Sequence, residues 1–154
     1  MSGTVIERLV GAGMSMPPAP NALGAYLPAV RTGSLVFTAG QLPLISGALM
    51  TTGAVGDDVD PETAMACAEQ CALNALAAAA SVCDLDDVVR VVKLTGFVAS
   101  APGFTAQPGV VDGASRVMAA AFGEAGRHAR EAVGVAALPL GAPVEVSVVL
   151  EVRD

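Results

Sequence analysis

The sequence predicts an α+β fold, with elements in the order β-β-β-α-β-α-β-β and two helices on one face of a mixed sheet. Three observations carry this. An alanine-rich stretch free of Gly and Pro follows Asp60-Pro61-Glu62, a helix start. A β-branched run, Val88–Val98, is long enough to cross a sheet. Two further apolar runs flank a Pro/Gly-rich turn near the C-terminus. The length of 154 residues suits one domain spanning 1–154.

In chain order, Val5–Leu9 reads as a first strand. Pro17, Pro18 and Pro20 make Met14–Asn21 an extended loop. Leu27–Val30 and Leu35–Ala39 flank Arg31-Thr32-Gly33-Ser34, which predicts a β-hairpin. Gly40-Gln41-Leu42-Pro43 ends that strand, and Ser46–Asp58 reads as loop. Asp60 caps the first helix, Pro61 suits its first position and Glu62 complements its positive end; the helix runs to about Val82. Asp84–Asp87 breaks it, and Val88–Val98 is a central strand. Ser100–Gly109 is a loop and a candidate pocket rim. Asp112 caps a second helix, Gly113 to Ala125, with Gly126 as its stop. The last two strands, on either side of Leu138–Pro143, read as a hairpin.

Composition excludes several functions. The net charge is −7 with eight Lys plus Arg, and there is no Trp, one Tyr and four Phe. Neither a basic patch nor a stacking platform for nucleic acid is supplied. No apolar run approaches the ~20 residues of a membrane helix, and the N-terminus lacks a signal-peptide pattern, so a cytoplasmic location is expected. Cys67, Cys71 and Cys83 read as free thiols filling core space. Cys67 and Cys71 lack the further ligands of a metal site, and no metal or cofactor is expected.

Two charges stand out in the C-terminal strands. Arg130 shares a strand face with Ala132, Gly134 and Ala136, which leaves room for a ligand. Its planar fork suits a carboxylate, and on pattern alone a structural ion pair is an equal reading. Glu145 breaks a run of valines, as a base that handles water or as the wet face of a strand. In a hairpin centred near Leu140, Arg130 pairs near Leu150 and lies ~17 Å from Glu145 along the ladder. The two then meet one substrate only across a subunit boundary, or Glu145 acts elsewhere. Tyr26 can wall a pocket. Arg116 and Arg127 add positive charge near it, or are solvated. Lys93 reads as paired or snorkelling. His128 is the only histidine, close to Arg130; it reads as structural, and no nucleophile-type residue forms a triad with it.

Four segments resemble a known family: Ala22-Leu23-Gly24-Ala25-Tyr26, Phe37-Thr38-Ala39-Gly40-Gln41-Leu42-Pro43, the unit Ala64–Phe97, and His128-Ala129-Arg130 through Glu145-Val146. They are similar to the Rid/YjgF reactive intermediate deaminases, also described as endoribonuclease L-PSP-like proteins. The resemblance covers nearly the whole chain. It implies a chorismate-mutase-like fold, a homotrimer whose sheets form a central barrel, and clefts between subunits. It also implies hydrolysis of small imines or enamines of 2-oxo acids without a cofactor. Arg130 matches the carboxylate-binding arginine, Glu145 the glutamate associated with the attacking water, and Tyr26 a pocket tyrosine. Ala39, Gly40, Ala132 and Arg116 occupy the remaining substrate-binding places. Ala39 replaces a frequent serine and Ala132 a frequent cysteine. Arg116-Val117-Met118-Ala119 stands where Asn-x-x-Tyr is usual. These departures mark a divergent branch. The alternative reading is a non-catalytic trimer that binds small carboxylates or acts as a chaperone.

Overall fold

The computed structural model describes residues 2–22 and 24–154; Met1, and Leu23 of the Ala22–Tyr26 segment, lie outside them. The chain opens on a helix, α1 (Val5–Gly11), where a strand is expected. The decisive signal is Thr4-x-x-Glu7. The Thr4 hydroxyl accepts from the Glu7 amide and the Glu7 carboxylate accepts from the Thr4 amide, a capping box. Val5 and Leu9, one turn apart, are the buried pair.

Strands β1 (Ala29–Thr32) and β2 (Leu35–Thr38) form the expected hairpin, with Gly33 at φ 58° in a two-residue turn. The expected loop 46–58 holds part of a second, minimal hairpin, β3 (Leu44–Ile45) with β4 (Ala48–Leu49). Ser46 and Gly47 both take positive φ there, the geometry of a tight hairpin turn.

Helix α2 (Pro61–Ala79) begins as predicted, with the Asp60 carboxylate accepting from the Thr63 amide at 2.7 Å. That bond holds the Asp60 carboxyl below its usual value. Small residues line most of α2, so it packs close to its neighbours. Cys67 and Cys71 are buried in it, and burial pushes both thiols up, Cys67 to about 11.

Strand β5 (Val88–Ala99) leads into α3 (Gln107–Phe122), which starts six residues before the expected Gly113. Pro108 sits in its first turn, where proline costs no hydrogen bond. Asp112 is therefore a residue of the helix body, not its cap. Gly123, at φ 59°, ends the helix ahead of Gly126. Arg8 of α1 reaches this end and donates from Nε to the Ala121 carbonyl at 2.7 Å.

Strands β6 (Ala129–Val135) and β7 (Val144–Val152) do not pair, which corrects the expected C-terminal hairpin. The sheet order is β1-β2-β7-β5-β6, with β6 parallel to β5 and the other neighbours antiparallel. α3 is the crossover that makes a parallel β5–β6 pair reachable. Strand β7 is central because its alternation is strict. Val144, Val146, Val148, Leu150 and Val152 are buried, and the residues between them are half-buried. The buried set faces α2 and α3 and joins Val91, Leu94 and Val98 of β5 in the core. Gly96 lets α3 approach, since a Cβ there would lie 2.5 Å from Val111. Among the described residues the fold is thus α+β, three helices with one mixed five-stranded sheet and a small hairpin.

Candidate functional site

Directly paired strand residues project to the same side of a sheet. Arg130 pairs with Leu94, a core residue, so it leaves the edge strand toward the helices. Its Nη1 donates to Asp112 Oδ1 at 2.7 Å and to Ser115 Oγ at 3.2 Å, both on α3. Nη2 has a longer contact, 3.4 Å, with the Pro108 carbonyl. The ion pair left open as a structural reading exists, on a helix rather than a neighbouring strand. The arginine side chain is 24% exposed and that of Asp112 53%, so this pair is partly screened by water.

His128 lies beside it. Its Nδ1 is 2.6 Å from the Gly126 carbonyl, which only accepts, so Nδ1 carries the proton. In the neutral ring Nε2 then accepts from the Ser115 hydroxyl at 3.0 Å. Ser115 is thus a hydroxyl partner of His128, which is backed by a carbonyl and not by an acid. Asp112, Ser115, Gly126, Arg127, His128 and Arg130 line a cleft of about 360 Å³. Arg127 is well exposed and pairs with Glu124 at 3.5 Å.

Glu145 lies elsewhere. It pairs with Phe97, which alternates away from Leu94 and Val98, and so projects from the sheet face opposite the helices. Two strand spacings and three residues of offset put Arg130 and Glu145 about 14 Å apart at the backbone. The hairpin register behind the earlier separation is replaced, and the opposition of faces is the stronger obstacle. Partial burial pushes the Glu145 carboxyl above its usual value. Gly40 lies against it: a Cβ at Gly40 would be 2.5 Å from Glu145 Oε2. The backbones around Gly40 and Glu145 are joined by the paired bonds of Gln41 with Val146.

The remaining expected residues scatter. Tyr26 is half-exposed just before β1, at the sheet edge opposite β6. Four strand spacings separate those edges, about 19 Å. Ala39 follows β2, its amide bonded to the Pro28 carbonyl. Ala132 is half-buried on the Arg130 face and packs against the core. Arg116 points its Nη1 at the Met65 sulfur, 3.1 Å away on α2, and does not line the cleft. Lys93 is paired, 2.9 Å from Glu131. Ser100 accepts from Gln107 Nε2 at 3.1 Å, tying the rim loop to the start of α3. Asp112 and Ser115 are cleft residues that sequence reasoning missed. A helix starting at Gln107 places positions 108, 112, 115 and 119 on one face, which is the signal that would have found them.

No helix among the described residues is long and apolar enough to cross a membrane. Among them, no group of three or more His, Cys, Asp or Glu could hold a metal ion.

A mixed sheet covered on one face by helices, with an arginine-lined cleft at its edge strand, defines an α+β protein of the chorismate-mutase-like type. Residues 6–152 match the family model described as "YjgF/chorismate_mutase-like, putative endoribonuclease", and the chain belongs to this YjgF family. It is 41% identical to Protein TCP17 of Trypanosoma cruzi, over 99% of this chain and 97% of that protein. The crystal structure of Atu1372 from Agrobacterium tumefaciens, a protein of unknown function, superposes with a TM-score of 0.89. The two are 44% identical, over 98% of this chain and 94% of that one. The structure of Escherichia coli TdcF with bound serine superposes at 0.61 with 26% identity, over 88% of this chain and 94% of that one.

Proposed function

We propose that this protein is a hydrolytic deaminase of small 2-imino or enamine acids, producing a 2-oxo acid and ammonia. The observation that carries the reading is Arg130 in its cleft. The Nε–Nη2 edge of its guanidinium meets only the long Pro108 contact among the bonds described, so it can take a carboxylate in a two-point clamp. Family membership supports the same ligand class, and TdcF, a relative, holds serine. Once the carboxylate is held, the imine carbon sits at a fixed distance from the arginine. Water adds there, and the carbinolamine expels ammonia.

The reading includes a homotrimer with clefts between subunits. Tyr26 and Glu145 belong to a different edge and a different face from Arg130, so one substrate meets all three only where chains adjoin. Glu145 of a neighbouring subunit then orients the water, its carboxylate accepting a hydrogen bond from it. The acidic chain and its three free thiols agree with a cytoplasmic protein that does not bind nucleic acid.

The test is hydrolysis of 2-iminopropanoate by wild type and Arg130→Ala. Loss of a charged clamp lowers kcat/KM by about 10- to 100-fold. Equal rates in both proteins and in buffer reject the reading. The second reading, a non-catalytic carboxylate-binding or chaperone-like trimer, is favoured by Ala39 and Ala132, which bring no hydroxyl or thiol. Carboxylate binding without turnover across a panel of imino acids supports it.

A further inference from the structure

The carboxylate anchor accounts for binding but not for the movement of protons on its own side of the sheet. Ser115 and His128 stand in that place. The Ser115 hydroxyl accepts from Arg130 Nη1 and donates to His128 Nε2. The imidazole is fixed from behind, because Nδ1–H donates to the Gly126 carbonyl. A lone packing histidine has no need of a hydroxyl between itself and an anchoring arginine. Here the three side chains form a continuous chain of hydrogen bonds that opens into one cleft. Its free proton acceptor is aimed at that hydroxyl.

We infer that Ser115 and His128 form the proton-transfer pair of the reaction, acting on a substrate held by Arg130; this rests on the deaminase reading above. The substrate is the iminium of a 2-oxo acid. Water oxygen bonds to C2 and the C=N electron pair moves to nitrogen. One water proton passes to Ser115 Oγ as the serine proton passes to His128 Nε2. The resulting imidazolium returns that proton along the same path to the amino nitrogen of the carbinolamine. The C–N bond breaks, an oxygen lone pair forms C=O, and the hydroxyl proton leaves with ammonia as ammonium. No oxidant, metal or covalent enzyme intermediate is needed. The charged groups around the imidazole are Asp112 on α3, Arg130 on β6, and Arg127 with its partner Glu124 at the rim.

Because His128 is the only histidine, its ring is a clean spectroscopic probe. Steady-state hydrolysis of 2-iminopropanoate is compared across pH for wild type, Ser115→Ala and His128→Asn. Asparagine keeps a donor for the Gly126 carbonyl and removes only the Nε2 acceptor. The expected result is a kcat about 100-fold lower in both variants with KM within about twofold, and loss of the imidazole limb of the pH profile in His128→Asn. Unchanged kcat and pH profile in both variants, with Arg130→Ala impaired, overturn the pair while leaving the deaminase reading intact. In parallel, the imidazole resonances are followed by NMR as pyruvate is added. A carboxylate bound beside the ring shifts them. Absence of turnover in wild type removes the deaminase reading, and the NMR titration still decides the placement: a ring unmoved by saturating pyruvate overturns it.

Discussion

Replacing Gly113 by alanine tests how α3 is held against α2, and hence how Asp112 and Ser115 are positioned. The added Cβ would lie 3.0 Å from the Met65 carbonyl carbon and nearer still to its oxygen. That neighbour is backbone in the first turns of α2, so it cannot swing aside as a side chain would. One helix must move away. Overpacking of this kind costs about 3 kcal/mol, the upper end of its usual range. The better helix propensity of alanine returns about 1 kcal/mol. The net loss is about 2 kcal/mol, which lowers Tm by about 4–8 °C for a chain of this size. Gly109→Ala is the internal control. It lies on the same helix with nothing within 4 Å of the new Cβ, so it is neutral or gains up to about 1 kcal/mol. Thermal unfolding followed by circular dichroism, at matched protein concentration, reads both. A Gly113→Ala protein as stable as wild type, or more so, refutes the close-approach argument.

Two further substitutions probe the charges. Asp112→Asn removes a carboxylate charge beside the guanidinium whose other edge takes the ligand, a partly exposed charge worth about 1 kcal/mol, so pyruvate binds about fivefold more tightly by calorimetry; unchanged or weaker affinity contradicts the idea that the Asp112 charge opposes that of the ligand. Glu145 has a folded-state pKa above its unfolded value of 4.5, so its ionised form is penalised by folding. Its favourable contribution is complete below pH 4.5 and is lost as pH rises through the raised value. Glu145→Gln therefore raises Tm at pH 8 and loses that advantage at pH 4; an equal effect at both pH values rules out burial as the cause.

Much of the fold was legible because its signals are local. Asp60 with Pro61 marks the start of α2, and the Val/Ser/Glu alternation of β7 marks a strand with one buried face. Gly33 marks the first hairpin. The errors came where a local signal was outweighed or overlooked. Val5–Leu9 is apolar enough for a strand, yet the Thr4–Glu7 capping box makes it helical. Asp112 resembles a cap, yet Pro108 already opens the helix, and that difference of nearly two turns hid Asp112 and Ser115 from the site. The family resemblance located Arg130 and Glu145 without revealing that they leave opposite faces of the sheet.

The sequence by itself determined most of the elements, the alternation that buries one face of β7, and the arginine that suits a carboxylate. These depend on hydrogen bonds and side-chain spacing within a few residues. Only the tertiary structure decided that β6 joins β5 and not β7. That choice depends on α3 packing on the sheet at Gly96 and against α2 at Gly113, contacts between residues far apart in the chain. It turns Arg130 toward Ser115 and His128, and leaves Glu145 to the other side.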